Sequence, residues 1–190
     1  MRIGIFSGSF DPVHNGHINL AESILRTSYL DEIWLMPSPQ NPLKLNNPPV
    51  SFNHRYEMCR LVAEKFENIK VSDFEQQMPW PTYTYNTLIN LKKEYPLHEF
   101  SLIIGSDNWL NFNSWKNYDN IINEFSIIIY PRPGYSDIDK IPQNITYLKD
   151  MPVTEISSTY IRKALRDGRD LQNLLDPDVI NYIRMHKLYS

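Results

Sequence analysis

Cys59 is the only cysteine in the 190 residues, so no intrachain disulfide forms and the fold must rest on its core. Scarce cysteine fits a reducing compartment. No apolar run reaches the roughly eighteen residues that a membrane-spanning helix needs, so no membrane partner is expected. Charge of one sign is also lacking: 19 basic residues face 22 acidic ones, for a net charge of −3. Without a basic excess, a nucleic-acid backbone is not the expected partner. That balance does not exclude a pocket for a few phosphates, which needs only local charge. No basic segment and long apolar stretch precede Arg2-Ile-Gly-Ile-Phe6, which reads directly as a strand. The expectation is therefore no secretion leader and a cytoplasmic location. Internal repeats and low-complexity tracts are absent too.

What is present is a hydrophobic fraction of 42%, ample for one core. The length favours a single domain over 1–190, with residues about 157–190 forming a C-terminal helical part. Apolar runs at Ile3–Phe6, Ile33–Met36, Ile69–Phe74, Phe100–Ile104, Phe125–Tyr130 and Ile145–Leu148 read as strands. Helical spacing appears from Gly16 (Ile18, Ala21, Ile24 or Leu25), after Ser51, over Thr82–Tyr95, over Ser158–Arg166 and over Pro177–Lys187. Asp176-Pro177 is a cap followed by proline at the first helical position. Fourteen prolines and many asparagines predict long structured loops, one of them from Ser38 to Val50. Strands alternating with helices predict an open α/β, doubly wound, mostly parallel sheet with helices on both faces. Ser126-Ile-Ile-Ile129 suits burial on both sides. Ligands of such a sheet sit at the carboxyl ends of its strands, where strand order reverses.

The first strand runs into Gly8-Ser-Phe-Asp-Pro-Val-His-Asn-Gly-His17. Gly8 allows close backbone approach, and Ser9 and Phe10 stand at the mouth of the turn. A helix beginning near Asn15 puts His14 and His17 on one side of its first turn, beside Gly16. Free N–H groups and the positive helix end point the same way, forming an anion site. Two polar residues in a solvated helix start are the plainer reading of an isolated His-x-x-His. Zinc would need further ligands, and His54, His98 and His186 have no supporting cysteine or paired spacing. Near the other end, Ile156-Ser-Ser-Thr-Tyr-Ile-Arg162 opens a helix. Ser157 and Ser158 read first as N-cap residues. A capped start also offers N–H groups to an anion, and Arg162, one turn in, reaches the same phosphates.

The segment Gly8–His17 after an N-terminal strand resembles the nucleotidyltransferase superfamily marked by the H-x-G-H motif. Ile156–Arg162 resembles the I-S-S-T-x-I-R signature with which that superfamily holds the ATP triphosphate, and Thr159 falls within it. Asn41-Pro-Leu-Lys44, Arg55-Tyr-Glu-Met-Cys-Arg-Leu-Val-Ala63, Thr82-Tyr-Thr-Tyr-Asn-Thr-Leu88, Gly105-Ser-Asp-Asn with Trp115, and Pro131-Arg-Pro-Gly134 are similar to segments of the bacterial nicotinate-nucleotide adenylyltransferases. The resemblance spans residue 3 to about 187. It departs from the family at Asn86, where aspartate is usual, and at Pro79-Trp80-Pro81, where an Arg-x-Gly stretch is usual. These departures concern loop shape near the mononucleotide and leave the phosphate motifs intact.

The resemblance implies a Rossmann-like fold, ATP and nicotinate mononucleotide as ligands, and Mg²⁺ carried mainly on the ATP phosphates rather than by protein side chains. In-line attack of the mononucleotide phosphate on the α-phosphorus would release pyrophosphate with no covalent enzyme intermediate. His14, His17, Lys44 and Arg162 are the expected catalytic cations and donors. Gly8, Ser9, Phe10, Gly16, Gly105, Asp107, Arg132, Ser157, Ser158 and Thr159 are the expected ATP contacts. Lys44, Thr84, Tyr85 and Trp115 are expected at the mononucleotide, Trp115 as a stacking surface for the pyridine ring or else as core. Lys44 is a phosphate-neutralising cation or a solvated loop lysine, and Asp107 a ribose acceptor or a turn former. Nicotinamide mononucleotide and phosphopantetheine are the alternative acceptors. A catalytically silent nucleotide-binding regulator is the alternative of a different class. A homo-oligomer is compatible with the sequence, which does not set the oligomeric state.

Overall fold

The computed structural model describes residues 1–39, 49–135, 138, 141–151, 153 and 155–189. Six parallel strands lie in the order β3-β2-β1-β4-β5-β6. They are β1 (Arg2–Gly8), β2 (Glu32–Pro37), β3 (Ile69–Val71), β4 (Glu99–Gly105), β5 (Ser126–Tyr130) and β6 (Ile145–Tyr147). Every pair among the described strands is parallel, so "mostly parallel" becomes wholly parallel here. The chain winds outward from β1 through β2 to β3. It then returns to lay β4 against the free edge of β1, with Arg2 beside Glu99 and Ile5 beside Leu102, and winds outward the other way. The strand order therefore reverses between β1 and β4. Their carboxyl ends, Gly8 and Gly105, mark the crevice where an open sheet of this kind binds ligands.

Seven α-helices stand among the described residues: α1 (Asn15–Arg26), α2 (Phe52–Ala63), α3 (Thr84–Glu94), α4 (Ser106–Leu110), α5 (Tyr118–Glu124), α6 (Ser158–Arg166) and α7 (Pro177–Met185). Strand residues alternate between two cores, as the pleat requires. Phe6, Ile33, Leu35, Ile103 and Ile128 face α1, α2, α6 and α7, which contribute Ile18, Ala21, Met58, Val62, Ile161, Ala164 and Ile183. Ile3, Ile5, Leu102, Ile104, Ile127 and Ile129 face the other way, against Leu88 and Leu91 of α3, Phe112 and Ile121. The isoleucine run of β5 thus feeds both layers, the reason it is apolar without interruption.

The local signals act as expected at most ends. The Ser51 side chain accepts from the His54 N–H to cap α2, and Asp176 accepts from Asp178 with Pro177 at the first position of α7. β3 is shorter than its apolar run. After Val71 the backbone leaves the sheet, and Phe74–Gln77 forms a 3-10 turn. There Glu75 is buried and accepts a bond from Thr87 Oγ1 at 2.9 Å, fastening the turn to α3. α3 begins two residues later than Thr82, and α7 stops two residues before Lys187. The short helices α4 and α5 lack a full amphipathic repeat and were not expected from the periodicity.

Candidate active site

β1 ends at Gly8, and the chain reaches α1 through Ser9-Phe10-Asp11-Pro12-Val13. An ideal Cβ on Gly8 would lie 3.2 Å from the Phe10 ring, tighter than ordinary packing, so the missing side chain makes room for that ring. Phe10 has φ 44°, a backbone region unfavourable to a bulky residue, and its ring is 2% exposed. The Phe10 side chain belongs to the core, edge-on to Phe6 at 5.6 Å and to His17 at 5.0 Å, so a contact with ATP at this position falls to its backbone. What the ring does is fix the imidazole above it.

His14 is the N-cap residue of α1, and its backbone N–H donates to Nδ1 of His17 at 3.2 Å. That bond places the His17 proton on Nε2, leaving an N–H donor for the cleft that His17 lines. The two rings stack with centroids 3.6 Å apart and an angle of 24°. Burial, with Arg132 nearby, lowers the His14 pKa to about 4. Burial, then His14 and Arg132, push His17 well below its ordinary value. Both are neutral donors at pH 7. The α1 start is less open than the sequence suggests. The Asn15 N–H goes to Leu174 O at 2.9 Å and the His17 N–H to His14 O at 2.9 Å. Gly16 keeps an N–H without an acceptor among the described residues, and it lines the same cleft.

The second motif docks on the same turn. Ser158 Oγ donates to Pro12 O at 3.0 Å, and Arg162 Nη1 donates to Asp11 O at 2.8 Å. The N-terminal ends of α1 and α6, 146 positions apart from Pro12 to Ser158, are therefore neighbours. Ser157 alone caps α6, its hydroxyl accepting from the Tyr160 N–H at 3.2 Å. Ser158 is corrected from cap to bridge. The Thr159 hydroxyl accepts from Arg162 Nη2 at 3.2 Å, steadying the guanidinium.

From the far side of the switch point, Arg132 enters the cleft lined also by His14, Gly16, His17, Tyr130 and Ile156. Its backbone N–H donates to Ser106 Oγ at 2.9 Å, and its Nε lies 3.6 Å from Asp107 Oδ1. That carboxylate oxygen is buried and has no hydrogen-bond partner among the described residues. A Cβ on Gly105 would fall 2.4 Å from the same oxygen, so the glycine leaves room for it.

Thr84, Tyr85 and Trp115 stand on the other layer. Tyr85 donates its hydroxyl to Glu124 at 2.9 Å and Trp115 packs 5.1 Å from Phe112, half-buried. The Tyr85 hydroxyl is thus engaged with α5, which leaves the uncapped first turn of α3 as the group that could meet an anion. Ser9 stands in the β1–α1 turn, its carbonyl taken by Arg55. Lys44 and the Asn41–Lys44 segment lie outside the described residues.

Sequence reasoning placed Arg55 in a family-like segment but gave it no role of its own. It is 1% exposed and donates to Ser9 O, Ser38 O, Pro39 O and Val50 O at 2.7, 2.8, 3.1 and 2.7 Å. One guanidinium so ties the β1–α1 turn to both flanks of the loop after β2. The helix-like spacing around Arg55 placed it beside core positions, which was the available signal: an arginine there must find partners. Asp11 also received no role, because its partners Val50 and Tyr189 lie far along the chain. Its carboxylate is 12% exposed and receives Tyr189 OH at 2.7 Å and Val50 N–H at 3.3 Å.

The cytidylyltransferase-like family model matches residues 5–164. A Bacteroides fragilis protein named "Probable nicotinate-nucleotide adenylyltransferase" is 45% identical over 96% of this chain and 90% of its own length. A Flavobacterium johnsoniae protein of the same name is 38% identical over the full length of both. The solved Plasmodium falciparum nicotinic acid mononucleotide adenylyltransferase complexed with NaAD superposes with a TM-score of 0.78 at 25% identity, covering 99% of this chain and 97% of that one. The chain belongs to the cytidylyltransferase-like nucleotidyltransferases and, among them, to the nicotinate-nucleotide adenylyltransferase family.

Proposed function

We propose that this chain transfers the adenylyl group of ATP to nicotinate mononucleotide, forming deamido-NAD and pyrophosphate in NAD biosynthesis. The observation that carries the reading is the docking of the α6 start, through Ser158 and Arg162, on the turn that leads into His14 and His17. Two helix N-termini beside one turn, with two neutral imidazoles and Arg162, make a site for a polyphosphate.

The acceptor phosphate is already a nucleophile, so the chain's task is alignment and charge stabilisation. The Nε2–H of His17, the Gly16 N–H and Arg162 hold the triphosphate, and Ser158 and Thr159 offer the N–H groups of the α6 start. Lys44 is assigned to the same phosphates as a compact cation. Asp107 accepts from a ribose hydroxyl, with Arg132 beside it. The start of α3 at Thr84 and Tyr85 receives the nicotinate carboxylate, and Trp115 offers its indole to the pyridinium ring. Imidazole N–H and guanidinium groups bind phosphate oxygen and do not ligate a hard cation, which fits Mg²⁺ arriving on ATP. When bound, Mg²⁺ neutralises charge on the departing pyrophosphate. We read the chain as one domain acting in the cytoplasm; no described helix is long and apolar enough to cross a membrane.

A coupled pyrophosphate-release assay with MgATP and, in separate arms, nicotinate mononucleotide, nicotinamide mononucleotide and phosphopantetheine tests the proposal. Turnover is expected to be fastest with the nicotinate compound. A faster reaction with either other acceptor overturns the substrate assignment, and no turnover with any overturns the enzyme reading.

A further inference from the structure

The backbone after α7 folds back onto the β1–α1 turn. Lys187 and Tyr189 hold φ values of 50° and 65°, a region costly for residues other than glycine. The result is that Tyr189 donates its hydroxyl to Asp11 Oδ1 at 2.7 Å. These residues lie beyond residue 164, where the family-model match stops. The roles given above to the phosphate site do not use them.

The other carboxylate oxygen of Asp11 lies 3.6 Å from Arg162 Nη1, an ion pair too long for a direct hydrogen bond. Nη1 instead donates to the Asp11 backbone oxygen at 2.8 Å. The carboxylate is held back by what grips Oδ1, namely the phenol and the longer bond from the Val50 N–H at 3.3 Å. The terminal torsion of an aspartate is soft. Released from the phenol, a carboxylate this buried turns towards the nearest cation and forms a close pair with Arg162.

We propose that Tyr189 is a positioning residue of the ATP site: by holding Asp11 it keeps the Arg162 guanidinium from being captured by that carboxylate and so free for the triphosphate. The inference rests on the reading of Arg162 as a phosphate ligand. Burial and the Asp11 carboxylate both raise the Tyr189 pKa, so the phenol remains a donor throughout the working range.

The test compares Tyr189→Phe, Asp11→Asn and the double variant in the full chain. For Tyr189→Phe, KM for MgATP is expected to rise about tenfold, the size of one charge-assisted contact. KM for the mononucleotide should stay within about twofold and Tm within about 2 °C, because neither the α3 side nor the core is touched. In the Asp11→Asn background the neutral amide cannot form an ion pair with Arg162, so adding Tyr189→Phe should change KM for MgATP by less than about twofold. An unchanged KM for MgATP, equal rises in both KM values, or the same tenfold step in the Asp11→Asn background overturns the proposal. Calorimetric binding of MgATP without any acceptor should show the same loss. That result supports the proposal whichever mononucleotide is accepted, whereas failure of the wild type with nicotinate mononucleotide overturns the substrate assignment alone.

Discussion

His17 is held by the His14 N–H on its Nδ1, the stacked His14 ring and the edges of Phe10 and Phe6. A donor fixed before the substrate arrives needs no reorganisation as charge builds on the phosphates. His17→Ala is therefore expected to lower kcat about a hundredfold or more, the usual cost of one preorganised donor. Turnover near that of the wild type in a pyrophosphate assay would remove His17 from the reaction. Arg55 calls for a different readout, because it touches four backbone oxygens and no proposed ligand. Replacing it by methionine leaves those carbonyls without their charged donor. Urea melts of Arg55→Met should show a loss of about 3 kcal/mol or more. A loss below about 1 kcal/mol would mean that the carbonyls find other donors. Histidines three apart were legible in the sequence. What keeps them neutral was not, since it combines burial in the folded chain with the charge of Arg132, which is reached only after β5.

At the scale of elements, β4 and α4 meet at Gly105 with no intervening loop. The glycine has φ −75°, so its role is space rather than backbone freedom. An added methyl group would press on Asp107 Oδ1 and on Arg132 Cγ, 2.4 and 2.9 Å from the ideal Cβ. Both are side-chain atoms that can swing away, so Gly105→Ala should fold. The displaced carboxylate would then miss its ribose. KM for ATP is expected to rise severalfold, roughly what losing one hydrogen bond to a charged group costs, with Tm nearly unchanged. An unaltered KM for ATP would make Asp107 a turn residue and nothing more. The elements themselves were well marked where an apolar period and a cap coincide, as in α2, α6 and α7. β3 was overextended because Phe74 is apolar and sits in a 3-10 turn, packing against the same layer a strand residue would. Propensity cannot separate those two outcomes for a three-residue strand.

On the scale of the whole molecule, the buried histidines couple stability to pH. An unfolded imidazole takes up a proton near pH 6.5, but His14 in the folded chain resists until about pH 4, and His17 is lowered in the same direction. Between those limits the unfolded chain binds more protons, so stability falls as pH drops from 6.5 towards 4. Above pH 6.5 neither state is protonated, and the full stability is present. At about 1.4 kcal/mol per pH unit, His14 accounts for a loss of about 3 kcal/mol across that window. Urea melts at pH 7, 6, 5 and 4.5 should show a flatter dependence in His14→Phe than in the wild type. Parallel curves would mean that His14 titrates normally in the folded chain.

The linear order of residues was enough to determine the alternation of strand and helix, the two apolar faces of each strand, the helix caps and the two phosphate-binding signatures. Each is a local pattern, in which residues within one or two turns of each other carry the whole signal. Only the tertiary structure decided that Ser158 bridges to Pro12 rather than capping, that Phe10 supports an imidazole from inside the core, and that Arg55, Asp11 and Tyr189 join distant segments around one turn. Those contacts depend on where the sheet order reverses and on which buried charge meets which carbonyl. Apart from Phe10 and His17, which share one turn, such partners are separated by tens to hundreds of residues, and no spacing rule along the chain encodes them.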